Sequence, residues 1–430
     1  MTHDHVAAVG GEWSVPAPDP IARDYLRLAL RLDQHDPGIV DAYVGPADLK
    51  AEVDLERVPP LGRLREDAAS LRARVTTEVA DPDRRAWLDA QLIALETRAA
   101  VLAGERVPYL EQVERAHQLR PRRRDDAIFD ASAAELSGLL PGAGPLDERL
   151  EAWDDRVVVD PERLPAVLDW LIAELRARAA SRFGLPEGES LRVGLVRGQT
   201  WSGYCWFDGL RRSRIDLNID LPIRAPELVA TLGHETYAGH HLEHAWKEET
   251  LVEGAARLEA SVLLLPTPES VVSEGLAEVG PSLLLPDAER VELLAELFGR
   301  AGLELAGAGG PRAAAEASVA IAPLRRRLGE SIVNAALLRH VDGASSEETL
   351  AYLRRAGRYP EARARQRLGF LEDPRWRTYV FVYDEGRELL ERWVELGGPD
   401  ERDARFGRLL RESLTPAGLE REVAGATSAA

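Results

Sequence analysis

The sequence predicts a mostly α protein with one small antiparallel sheet set just before a histidine-rich helix. Three observations carry this. Through much of the first half, apolar residues recur with the 3.6-residue period of a helix. Between about 190 and 222 the period changes to two, the repeat of a half-buried strand. From Pro226 to the end the helical period returns.

Taken in order, a helix starts near Asp81-Pro82, buries Leu88, Leu92, Leu95, Ala99 and Leu102, and stops at Gly104, a residue that readily closes a helix. A clearer one follows Asp160 as N-cap and Pro161 as first helical residue. Leu164, Val167, Leu168, Leu171, Ile172 and Leu175 then fall at i, i+3, i+4, i+7, i+8 and i+11, one stripe to bury. Arg214 to Asp220 alternates polar and apolar strictly. Ser202 to Phe207 is aromatic-rich with Asp208-Gly209 after it, so the two runs predict a β-hairpin with one wet face. Gly/Pro punctuation at 141–145 and 307–311 separates helices, and Ser345 with Glu348 makes a capping box for a late one. The chain divides into a helical part over 1–185, a part with the hairpin and the histidine-rich helix over 186–423, and a small polar tail over 424–430 that is expected to fray, all in one integrated domain.

With 430 residues, 45% hydrophobic and 30% charged, the chain has the composition of a globular protein that folds by burial. Its formal charge of −19 repels phosphate backbones and anionic lipid heads, which argues against nucleic acid and membrane surfaces as partners. The one basic run, Arg120 to Arg124, is followed at once by Asp125 and Asp126 and reads as a solvated helix start. Cys205 is the only cysteine, so no intrachain disulfide forms. Residues 1–20 lack the basic start and apolar stretch of a secretory signal, and no run of about 18 apolar residues occurs. Together these features predict a cytoplasmic protein.

Four of the 9 histidines, His234, His240, His241 and His244, crowd into one short window. The run His234-Glu235-Thr236-Tyr237-Ala238-Gly239-His240-His241 puts candidate metal ligands and a candidate base close together. A zinc-binding helix normally offers two histidines at i and i+4, with a glutamate after the first as base. Here His234 to His240 is i+6, about −120° around a straight helix, and His241 at i+7 returns to the same face but about 10.5 Å further along the axis. Gly239 offers a resolution, since a glycine bulge that adds two residues to one turn makes i+6 equivalent to i+4. His234 and His240 are then the ligands and Glu235 the base. The pair His240 and His244, i+4 on an undistorted helix, is the alternative, and it leaves Glu235 without a purpose.

A third ligand should come from a nearby segment, as in sites built from two histidines and a glutamate. Ser273-Glu274-Gly275-Leu276-Ala277-Glu278 is the best candidate, because Glu274 and Glu278 are four apart: one can bind metal while the other orients a ligand histidine. Glu274 is expected on the metal, with Glu278 and His241 behind the ligands.

The histidine run resembles the His-Glu-x-x-Pro-Gly-His-His signature of a bacterial family of uncharacterised metallopeptidases, and Ser273 to Glu278 looks like that family's Glu-Gly-Trp-Ala element. The family is similar in fold to the thermostable zinc carboxypeptidases, so the resemblance implies a large helical zinc-peptidase fold. Gly239-His240 matches the Gly-His of the shorter carboxypeptidase motif, which favours His240 over His241 as ligand. Tyr383-Asp384-Glu385-Gly386 looks like a C-terminal Tyr-x-x-Gly element of the family, implying that Tyr383 faces the metal. The resemblance covers about Trp201 to Gly386, with Ala238 in place of the usual proline and Leu276 in place of the usual tryptophan.

On this reading the chain is a zinc-dependent peptidase, with manganese or cobalt as alternative ions. His234, His240 and Glu274 hold one ion, Glu235 is the general base, and Tyr383 donates to the developing oxyanion. The substrate is a peptide or a small amide. An extended peptide can add along an edge formed by Tyr204 or by Arg214 to Asp220, with Tyr204, Arg214 and Asn218 among its contacts. A metal-dependent amidase or esterase acting on a small substrate, and a non-catalytic helical protein that keeps a degenerate site, are the other readings.

Overall fold

The computed structural model describes residues 19–199 and 201–429. The N-terminal segment that the sequence reads as lacking a signal lies outside these, apart from its last two residues. Helices dominate the described residues, with two small sheets, the fold class that the periodicity predicts. Asp81 caps the helix Pro82–Leu102 by accepting from the Asp83 and Arg84 amides, and Gly104 follows its end at φ 85°. The helix expected from Pro161 starts later, as Leu164–Arg182, because the Arg163 and Leu164 amides first close a turn on the Asp160 carbonyl. It buries Leu164, Val167, Leu168, Leu171, Leu175 and Ala179. The capping box of Ser345 and Glu348 is formed reciprocally. The last helix, Pro416–Ala429, runs through residues 424–429, the segment expected to fray.

Five strands lie among the described residues: β1 (Val40–Tyr43), β2 (Ser190–Val196), β3 (Gly203–Gly209), β4 (Arg212–Asn218) and β5 (Val262–Leu264). β1 pairs antiparallel with β5, and the other three form a sheet of order β2-β4-β3. The predicted antiparallel hairpin is β3–β4, and β2 joins β4 in parallel. That extra strand makes β4 central, which corrects the expectation of a free edge along Arg214 to Asp220: its backbone is paired on both sides, and the edges of the sheet are β2 and β3. The hairpin turns through Leu210 and Arg211, both at positive φ (55° and 58°), the backbone of a type I′ turn. The Glu248 carboxylate accepts from both of their amides, which pins the hairpin tip to the segment just after the histidine-rich helix.

One hydrophobic cluster spans the sheet and most later helices, including Leu171, Ile215, Leu232, Leu276 and Trp393. A second gathers Tyr25, Leu26, Trp87 and Leu92 from the first hundred residues with Val252, Leu258, Val262 and Leu264 from the later part. The two halves of the chain therefore share a core. No helix among the described residues is long and apolar enough to cross a membrane.

Candidate metal centre

The histidine run does not form one bulged helix, which corrects the local geometry expected of it. The helix Ala225–Glu235 ends after Glu235, and a new one, His240–Lys247, begins at His240. Thr236 (φ −120°, ψ −111°) and Gly239 (φ −140°, ψ −136°) both leave the helical region. The Thr236 amide and hydroxyl satisfy the Leu232 carbonyl, at 2.9 and 2.5 Å. A Cβ on Gly239 would fall 1.7 Å from the His234 carbonyl oxygen, so only glycine permits this reversal. The link then rests on the helix Pro268–Leu284: a Cβ on Gly280 would lie 1.8 Å from the Ala238 carbonyl oxygen. The helix Val380–Val394 crosses that same helix where Gly275 meets Gly386. Backbone contacts of this kind set the spacing of three helices that carry the site.

His234, His240 and Glu274 each bring one ligand atom to within 4.8 Å of the others. Glu274 Oε2 lies 3.3 Å from His234 Nε2 and 3.7 Å from His240 Nε2. It is buried and makes no hydrogen bond, while Oε1 accepts from the Tyr379 hydroxyl at 2.7 Å. Both imidazoles are oriented from behind. His234 Nδ1 faces Glu278 Oε1 at 3.5 Å. His240 Nδ1 meets Ser273 Oγ at 3.2 Å, and Ser273 donates to Glu243 Oε2 at 2.6 Å. With the Nδ1 atoms engaged, both Nε2 atoms face this carboxylate oxygen, the arrangement in which outer partners orient ligand histidines. Burial alone would raise the Glu274 carboxyl, but the two imidazoles hold it well below the usual range. Burial opposes protonation of His240, yet Glu243 and Glu274 outweigh it and push its pKa well above the ordinary value. The donor set and the orphaned oxygen fit a divalent cation.

Glu235, 8% exposed, is raised chiefly by burial, with His234 and His240 pulling the other way. It lies under the open edge of β3, where the Cys205 backbone hydrogen-bonds its carboxylate and a Cβ on Gly203 would be 3.2 Å from its Cγ. Tyr383 stands in electrostatic contact with Glu274, Glu235 and Glu278, and its hydroxyl has no hydrogen bond among the described residues. Its ring packs edge-on against Tyr379 at 5.6 Å.

Other residues singled out by the sequence sit elsewhere. His241 points away from His234, into a fully buried network: Nδ1 meets Ser213 Oγ at 2.8 Å and Nε2 meets Glu189 at 3.0 Å, with Arg176 on the same carboxylate. It backs the sheet, not the ligands. His244 stacks on His240 at 5.9 Å and forms a second group with His240 and Glu243. There, however, Lys247 already pairs with Glu243 at 2.7 Å. Burial pushes His244 down to about 3. Asn218 holds the loop before β3 through the Gln199 and Trp201 carbonyls, and Arg214 lies over Trp206 and beside Asp216. Tyr204 donates to Asp41 of β1. Sequence reasoning missed Tyr379, Ser273, Glu243, Glu189 and Asp41. Of these only Glu243, three residues after His240, had a local signal.

No family model matches the chain, and no curated protein matches it. Among solved structures it is similar to the putative lipoprotein from Colwellia psychrerythraea, at TM-score 0.50 and 14% identity over 94% of this chain and 76% of that one. It is also similar to a putative lipoprotein of unknown function from Shewanella oneidensis, at TM-score 0.46 and 11% identity over 90% of this chain and 76% of that one. These findings correct three expectations. The resemblance to the metallopeptidase family is not upheld, since no family model supports it and the Colwellia protein that shares the fold is described as a lipoprotein. The labels hydrolase, metallopeptidase and carboxypeptidase-like fall with it as statements of kinship. The cytoplasmic location is also set aside, because lipoproteins are membrane-anchored or extracytoplasmic.

Proposed function

We propose that His234, His240 and Glu274 hold one divalent metal ion and that Glu235 works beside it to hydrolyse an amide bond in a peptide or small amide. The observation that supports this is the buried, unpartnered Glu274 Oε2 facing two Nε2 atoms whose Nδ1 partners are already engaged. Two imidazoles and a carboxylate suit zinc best, with manganese or cobalt able to use the same donors. Bound there, the ion would supply Lewis acidity and bring the pKa of a water down from 15.7 to about 7.

The chain's own residues supply the rest. Glu235 is poised by burial to accept a proton closer to neutral pH than an exposed glutamate would, and to pass it to the leaving amine. Tyr383 has its hydroxyl uncommitted, and as a donor to a developing oxyanion it would contribute about 3 kcal/mol. The outer edge of β3 runs over Glu235 and gives an extended chain a backbone to pair with.

Glu235→Gln tests the assignment. The variant should keep one zinc per chain by elemental analysis and lose hydrolysis of a peptide library by about 10²–10⁴-fold. Undiminished turnover would remove Glu235 as base, and a wild-type chain that takes up no zinc, manganese or cobalt would remove the reading altogether.

A further inference from the structure

Asp41 has no role in the account so far, and it comes from the opposite half of the chain. It lies on β1, where the Tyr204 hydroxyl donates to its Oδ1. Tyr204 is itself in electrostatic contact with Glu235. The Asp41 carboxylate is in electrostatic contact with His240, Glu274 and Glu235. No lysine or arginine pairs with it among the described residues.

The charges do not balance around it. A dication at the metal centre would be balanced by Glu274 and Glu235, and both Glu278 beside His234 and Asp41 would remain over. The direction of the hydrogen bond matters too. With its proton committed to Asp41, the Tyr204 oxygen has only lone pairs left to offer. Its ring is flanked by Trp201 at 5.5 Å and Trp206 at 4.5 Å, and the same aromatic run already seats one cation, Arg214 over Trp206 at 5.2 Å. A carboxylate, an accepting phenol oxygen and aromatic faces are the surroundings that stabilise an ammonium group.

We infer that Asp41 and Tyr204 form a specificity subsite for a primary ammonium group of the substrate, so that the amide presented to Glu235 neighbours an unblocked amine. This rests on the metal-site reading above. Calorimetry on the zinc-loaded Glu235→Gln protein tests it, with leucinamide and N-acetyl-leucinamide as probes. The free amine should bind at least about tenfold more tightly than the acetylated one, the scale of one lost charge-assisted contact. Asp41→Asn should abolish the difference, Tyr204→Phe should reduce it, and Asp41→Glu should restore part of it, with thermal melts checking that each variant folds. Equal binding of the two probes, or an amine preference that survives Asp41→Asn, would overturn the subsite. Loss of zinc from Asp41→Asn would make Asp41 a ligand and overturn it equally. If the wild-type chain takes up no metal, the metal-site reading fails by itself, and the same probes on the metal-free chain still decide the amine preference.

Discussion

His240 and His241 are neighbours in the chain and opposites in the fold. His240 has Nδ1 tied through Ser273 to Glu243, while Nε2 lies 3.7 Å from a carboxylate oxygen that makes no hydrogen bond. His241 is wholly buried with both nitrogens bonded, to Ser213 and to Glu189. One region leaves a donor atom and an acceptor-rich space open, and the other closes every valence inside the protein. Other buried atoms also lack partners, Tyr25 Oη and Gln91 Oε1 among them, but Glu274 Oε2 is the one on which two imidazole Nε2 atoms converge, and that convergence marks it as a ligand position.

The largest effect should come from exchanging the two histidines separately. His240→Ala should weaken zinc binding by roughly a thousandfold, one ligand's share of a tight site. His241→Ala should keep the zinc and cost about 3 kcal/mol of stability, because Glu189 and Ser213 lose a buried partner. Metal titration and urea unfolding read the two quantities, and equal metal loss in both variants would erase the distinction.

A smaller effect concerns acid. Burial would raise Glu189, but His241 and Arg176 hold it below the usual range. Its stabilisation is therefore present above about pH 4.5 and is lost as pH falls through the lower folded value. Glu189→Gln should be less stable at neutral pH by about 1–2 kcal/mol and show a shallower loss of stability on acidification. A parallel acid limb in variant and wild type would place the titration elsewhere.

Ser273→Ala should lower zinc affinity by about tenfold, since it cuts the relay that orients His240. The smallest effect is expected of His244→Ala. The Lys247-paired Glu243 makes its group a poor cation site, so zinc affinity should stay within about a factor of three. A collapse of binding in that variant would move the centre to the alternative pair.

The helices with strong 3.6-residue stripes were legible from sequence, as was the β3–β4 hairpin, because each depends on local pattern. His234, Glu235, His240 and Glu274 were legible as residue types at suggestive spacings, and the structure gathers them. The path between the histidines was not, because the reversal at Thr236–Gly239 depends on Gly280 in a helix that only tertiary folding brings near. Tyr379 reaches Glu274 across 105 residues, Glu189 reaches His241 across 52, and Asp41 meets Tyr204 across 163. No periodicity records contacts of that range. The third strand, β2, was hidden for the same reason: its parallel pairing with β4 is made by a crossover, not by a turn motif.

The pairing of β1 with β5 has a practical corollary for anyone preparing fragments. A clone opened at residue 186 would deliver β5 without its companion and leave Val252, Leu258, Val262 and Leu264 stripped of cover from Tyr25, Leu26 and Trp87. Proteolytic trimming of the first helices would thus disturb the segment leading into Glu274, even though every histidine of the run lies far downstream of the cut.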